Sequence, residues 1–173
     1  MGTLSGKKIL MVIASNQFRD EEYQKPRALL EAAGAKVTVA SSSLKEATGM
    51  LGLEVKPDIL LKDAKMEQFD AVVFVGGMGA TEYWENPAAH ALAKSAYQSG
   101  KVTSAICLAP MTLANAGLLK DKRATIWPDV ASDFKTKGVV YTGKPVEKDG
   151  RLITGSGPDA AEAFGKALVE ALQ

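Results

Sequence analysis

The chain of 173 residues holds one cysteine, Cys107, and one histidine, His90. A single cysteine excludes an internal disulfide, so nothing points to an oxidising compartment. Zinc sites draw on several Cys or His ligands. Two such side chains leave only a carboxylate-rich metal site, and no acidic spacing suggests one. Charge of one sign is also lacking: 21 basic and 20 acidic side chains leave a net charge of +1. That removes the basic footprint of a nucleic-acid binder. The early apolar run, Ile9 to Ala14, is too short for a signal-peptide core or a membrane span. These absences together lead to the expectation of a cytoplasmic protein without cofactor, metal, nucleic acid or membrane. What is present suits one soluble domain over 1–173: 46% hydrophobic and 24% charged residues, in a chain long enough to bury a core. Met1 to Gly6 read as a loose end.

Along the chain, strand patterns alternate with helix patterns. "KKILMVIA" reads as a buried strand, and "DEEYQKPRALLEAAG" as a helix with acids in its first turn and Gly34 after its end. Pro26 should interrupt or restart that helix, because it has no N–H to donate. "KVTVAS" is a second strand, and "TGMLGLEVKPDILL" a small hairpin leading into an extended segment. "FDAVVFVGGMGA" is a buried strand followed by a glycine turn. "ENPAAHALAKSAYQSG" is a helix opened by Pro87 and closed by Gly100. "KVTSAI" is a strand running into a helix from about Leu108 to Ala116. "RATIWP" reads as a short strand, "DVASDFKTKG" as a helix, and "VVYTGKPVEKDGRLITGSG" as a hairpin turning at Asp149-Gly150. The last helix carries Phe164, Leu168 and Leu172 at helical spacing. The order predicts an α/β doubly wound, mostly parallel sheet with helices on both faces. Ligands then bind beyond the carboxyl ends of the strands, at the loops after Ala14, Val75, Ile106 and Ile126.

Cys107 stands where a strand should end and a helix begin. A side chain on such a turn points outward, toward the unpaired amides of Leu108 and the residues after it. Those amides would stabilise a thiolate and lower its pKa. Taken alone, the position suits a small core hydrophobe equally well. Gly76 and Gly77 allow close backbone approach to a ligand or to sulfur, or form an ordinary turn. They are no dinucleotide fingerprint, because Glu82 stands where its third glycine belongs. Glu22 lies in an acidic first turn, where most glutamates only favour the helix dipole. Trp127 reads by itself as a half-buried structural tryptophan.

Together these segments resemble the ThiJ/PfpI superfamily. The resemblance rests on "FRDEEYQKPRALLEAAGAKVTVAS", "DAVVFVGGMGA", "GKVTSAICLAP" and "VEKDGRLITGSGP", and covers nearly the whole chain. It implies a flavodoxin-like sandwich, a homodimer, and a reactive cysteine at a nucleophile elbow. It places the nucleophile on Cys107 and the glutamate on Glu22, four residues before Pro26. The amides facing the thiol fall on Gly77, or its neighbour Gly76, and on Leu108. A neutral Glu22 carboxyl would donate to the sulfur. Trp127 and Pro128 are expected at the pocket. Two histidines common in the superfamily are missing: Leu108 follows the cysteine, and Trp127 precedes Pro128. His90 reads as a surface residue. A Cys–His peptidase needs its base within hydrogen-bond reach, so proteolysis is disfavoured. Asp20, Glu21 and Asp129 are the remaining acids near the site.

The resemblance therefore implies a cofactor-independent cysteine enzyme acting on small electrophiles such as 2-oxoaldehydes, with Cys107 attacking and Glu22 moving the proton. Glyoxalase or deglycase chemistry in carbonyl or oxidative stress would follow, and a hydratase or hydrolase would use the same parts. The alternatives are a redox sensor working through oxidation of Cys107, and a dimeric chaperone-like module.

Overall fold

The computed structural model describes residues 2–173. Its strands are β1 (Lys8–Val12), β2 (Asn16–Phe18), β3 (Lys36–Ser41), β4 (Ala47–Gly49), β5 (Glu54–Val55), β6 (Ile59–Leu60), β7 (Ala71–Phe74), β8 (Val102–Ile106), β9 (Arg123–Ala124), β10 (Val140–Tyr141), β11 (Val146–Asp149) and β12 (Leu152–Gly155). Its helices are α1 (Asp20–Ala32), α2 (Pro87–Gln98), α3 (Pro110–Asn115), α4 (Ala131–Thr136) and α5 (Ala161–Leu172). Seven strands form the main sheet in the order β11-β12-β8-β7-β1-β3-β6. All neighbours are parallel except β11 and β12, which form the hairpin around Gly150. In β1, β7 and β8 every residue but Lys8 is buried. Strands without a polar face need cover on both sides. Helix α1 packs on α5, and α2 packs on α3. Strand order reverses between β1 and β7, because the chain runs outward through β3 and β6, then returns to β7 and β8. That reversal opens a crevice at the strands' carboxyl ends.

Several expectations change. The chain start is not loose after Met1, which lies outside the described residues. Leu4 is fully buried, and its N–H donates to the Ala33 carbonyl. Helix α1 runs through Pro26 without a break. The missing bond is the one to the Glu22 carbonyl, and the flanking turns hold against α5. A Cβ on Gly165 would lie 3.0 Å from Pro26 Cα, so only glycine lets α5 approach this closely. The strand expected at "RATIWP" shrinks to β9, which pairs with β10 outside the main sheet. Its later N–H groups go elsewhere: Thr125 donates to Thr154 Oγ1 and Trp127 to the Cys107 carbonyl. The hairpin of β4 and β5 gains an unforeseen third strand, β2.

Candidate active site

The site is built from three turns that follow β8, β7 and β2. Strand β8 ends at Ile106, and Cys107 follows with φ +65°, in the left-handed region that residues other than glycine rarely occupy. Such a conformation costs on the order of 1–3 kcal/mol and persists only where its surroundings impose it. Here they do. The Cys107 N–H donates to the Gly155 carbonyl at 2.8 Å, and its carbonyl accepts from Trp127 N–H at 2.9 Å. With its backbone held on both sides, the side chain projects into the crevice.

The second turn follows β7. The Gly77 N–H faces the sulfur, as does the Leu108 N–H, and both favour its charged form. Gly76 sits deeper, with its N–H toward the Glu22 carboxyl. A Cβ there would lie 2.3 Å from Glu22 Oε1, 2.5 Å from the Ile106 carbonyl and 2.6 Å from Cys107 Cβ. Gly77 has φ +107°. The two glycines thus have separate tasks, one at the sulfur and one at the carboxyl.

The third turn opens α1. The Arg19 N–H donates to the Gly76 carbonyl, which ties the start of α1 to the β7 turn. Glu22 is fully buried beside the thiol. Among the described residues, neither of its oxygens has a partner of regular hydrogen-bond geometry. Burial pushes its carboxyl up to about 8, against weaker downward pulls from Cys107 and Arg19. At neutral pH Glu22 is therefore protonated. It has one proton to give and free lone pairs to receive another.

The thiol does not follow the expectation of a lowered pKa. Burial first, and an ionised Glu22 second, push it up to about 12, while the Gly77 and Leu108 amides pull it down. A neutral Glu22 removes the repulsive part of that rise. The helix supplies less than expected, since α3 begins only at Pro110, which has no N–H, and the Ala109 N–H is engaged by the Ile106 carbonyl.

A cavity of about 120 Å³ lies over the sulfur, lined by Arg19, Met50, Gly77, Met78, Cys107, Leu108, Trp127 and Pro158. Trp127 forms part of its wall, whereas Pro128 is exposed and opens a 3-10 turn instead; Pro158 takes the wall position. His90 bonds to the Trp84 carbonyl and is not among the lining residues. The other nearby acids are otherwise engaged. Asp20 accepts from the Leu51 and Leu53 N–H groups, and Glu21 pairs with Arg19. Asp129 is exposed. Arg19, Met50, Met78 and Pro158 also line the cavity and were not expected there from the sequence. Only Arg19 carried a signal, as a cation inside an acidic turn. A larger depression of about 420 Å³, around Leu61, Met66 and Leu92, contains no thiol, histidine or buried acid. Among the described residues no three His, Cys, Asp or Glu side chains converge as metal ligands, and no helix is long and apolar enough to cross a membrane.

An elbow cysteine, a buried glutamate and a glycine turn at one strand reversal invite comparison with known proteins. A protein of Methanocaldococcus jannaschii is 40% identical, over 98% of this chain and 84% of its own. A Pyrococcus abyssi protein named a deglycase is 29% identical, over 95% of this chain and 99% of its own. The crystal structure of a ThiJ/PfpI domain protein from Brachyspira murdochii superposes with a TM-score of 0.93 at 31% identity, covering 96% of this chain and 98% of that one. The model of the DJ-1/PfpI family matches residues 7–171, and with that span and the shared fold, the chain belongs to this family.

Proposed function

We propose that the protein is a cofactor-independent enzyme that converts small 2-oxoaldehydes to 2-hydroxy acids, with Cys107 as nucleophile and Glu22 as proton carrier. One observation carries this reading: a fully buried carboxyl, with no partner of regular hydrogen-bond geometry among the described residues, stands beside the elbow thiol. One oxygen of Glu22 takes the thiol proton as sulfur attacks the aldehyde carbon, and the other gives its proton to the former carbonyl oxygen. The product is a hemithioacetal, with no net change of charge. The Gly77 and Leu108 amides steady the developing oxyanion. Glu22 next moves the proton from the first carbon to the second through an enediol, leaving a thioester. Water cleaves the thioester, releasing the 2-hydroxy acid and the free thiol. The aldehyde carbon is oxidised and the neighbouring ketone reduced, so no external oxidant is needed.

The test is formation of lactate from methylglyoxal. Wild type is expected to exceed Cys107→Ala by about 100-fold or more in kcat/KM, the scale of removing a covalent step. Equal rates overturn the reading. The deglycase name of the Pyrococcus abyssi relative supports chemistry on small carbonyl compounds.

A redox sensor is the second reading. It is favoured by a single thiol in an open cavity, whose two facing amides and neutral carboxyl could hold sulfur-bound oxygens. Peroxide titration followed by intact mass separates the two, because selective addition of two oxygens without turnover of methylglyoxal favours sensing. We also propose a homodimer, as the family resemblance implies, and a cytoplasmic setting, on the grounds of the lone cysteine and the short apolar run at Ile9 to Ala14.

A further inference from the structure

Arg19 is the one residue with a charged side chain among those lining the cavity, which is otherwise made of Met50, Met78, Leu108, Trp127, Pro158 and the Gly77 backbone around the thiol. In such apolar pockets the few polar groups set specificity. The guanidinium is held in place. Its Nε donates to Glu21 Oε1 at 2.8 Å and its Nη2 to Glu21 Oε2 at 3.1 Å. That fork fixes the plane of the group, and among the described residues Nη1 has no partner. Glu21 is not among the residues that line the cavity, whereas Arg19 is. Both Glu22 and Cys107 feel the charge of Arg19, which places it within electrostatic range of the reacting atoms. Its backbone N–H is tied to Gly76, so the side chain starts from a fixed point.

We infer that Arg19 is a specificity determinant, and that the cavity prefers small electrophiles carrying a carboxylate or phosphate group over neutral ones. A planar guanidinium with a free edge matches such an anion, whereas apolar walls offer a neutral end no directional contact. This rests on the proposed function for the reaction itself, while anion selection at the thiol stands apart from turnover. In the reaction the anionic group binds Arg19 while its aldehyde carbon meets Cys107. A 2-oxoaldehyde with a terminal carboxylate, 4,5-dioxopentanoate, would take up water and give 2-hydroxyglutarate.

The first measurement compares Cys107 alkylation by anionic iodoacetate and neutral iodoacetamide. The iodoacetate-to-iodoacetamide rate ratio is expected to fall about tenfold in Arg19→Met, the size of one charge-assisted contact. Arg19→Lys should fall between the two. Added salt should lower the wild-type ratio and leave that of Arg19→Met nearly unchanged. An identical ratio in wild type and Arg19→Met overturns the inference. The second measurement compares kcat/KM for 4,5-dioxopentanoate and methylglyoxal, with the wild-type preference for the anion carried mainly by KM and lost in Arg19→Met. If neither compound turns over while the alkylation ratio still falls, the enzyme reading fails and anion selection by Arg19 stands. If both turn over with the same preference in wild type and Arg19→Met, Arg19 does not select the substrate.

Discussion

A buried carboxyl that keeps its proton makes a protein less stable as pH rises. Glu22 has an ordinary value of 4.5, and in the folded chain it is pushed up to about 8. Below the lower value both states hold the proton. Between the two values the unfolded chain releases it and the folded chain does not. Stability therefore falls across this window, with a limiting slope of about 1.4 kcal/mol per pH unit for one proton. Glu22→Gln has no proton to release. Urea unfolding at pH 5 and pH 8 should show wild type losing stability relative to Glu22→Gln, and parallel pH dependence would sink the neutral carboxyl. Gly76→Ala probes the same spot by size. Its new methyl would meet the Ile106 carbonyl at 2.5 Å, a backbone atom that cannot swing aside. A cost of about 2–3 kcal/mol in urea unfolding is expected, with Cys107 alkylation altered as Glu22 is displaced; unchanged stability and alkylation would show that the turn yields easily. Family pattern made Cys107, Glu22 and the glycine pair readable from sequence. Arg19 carried only a faint signal, because an arginine beside acids at a helix start is common, and only folding brings it to the cavity that Cys107 lines. Pro128 was misplaced because the chain turns outward one residue after Trp127. The thiol's raised pKa was also hidden, since burial is a property of packing and not of spacing.

Asp20 acts at the scale of elements. Its carboxylate accepts from Leu51 and Leu53 N–H, both at 2.9 Å, and so clamps the turn between β4 and β5 onto the start of α1. That turn carries Met50, whose Sδ accepts from the Met78 N–H across the cavity mouth. Asp20→Ala leaves two amides without their charged partner, at an expected cost of about 2–4 kcal/mol in unfolding experiments. Hydrogen exchange should rise at Leu51 and Leu53, and an unchanged exchange pattern would show that the clamp is idle. Helix α2 was readable from Pro87 at its start and Gly100 just past its end; the cap by Asn86, which accepts from the Ala89 N–H, came only with the structure. The passage of α1 through Pro26 was not readable, because its stability comes from α5, whose Gly165 lies far along the chain. The short β2 was missed for a similar reason: three residues acquire strand geometry only by pairing with β4.

For the whole molecule, alternation of apolar runs with capped helical patterns was enough to reach the doubly wound sheet. It also directed attention to the carboxyl ends of its strands. Subunit number is a property of the exposed surface, where Met50, Leu51, Met78 and Trp127 remain partly open to solvent. Sedimentation equilibrium is expected to give twice the chain mass of 18.3 kDa, and a single chain mass would overturn the homodimer. Cys107 connects distant parts of the chain. Its backbone is bonded to Trp127 and Gly155, while its sulfur faces Glu22 and Gly77. A chain still emerging from the ribosome, with residues 123–155 unmade, has the cysteine without the bonds that hold it at positive φ. Such a chain carries an ordinary, unshielded thiol. The switch from ordinary to buried thiol therefore reports the docking of residues 123–155, and pulsed alkylation during refolding should record Cys107 changing its reactivity as that segment docks.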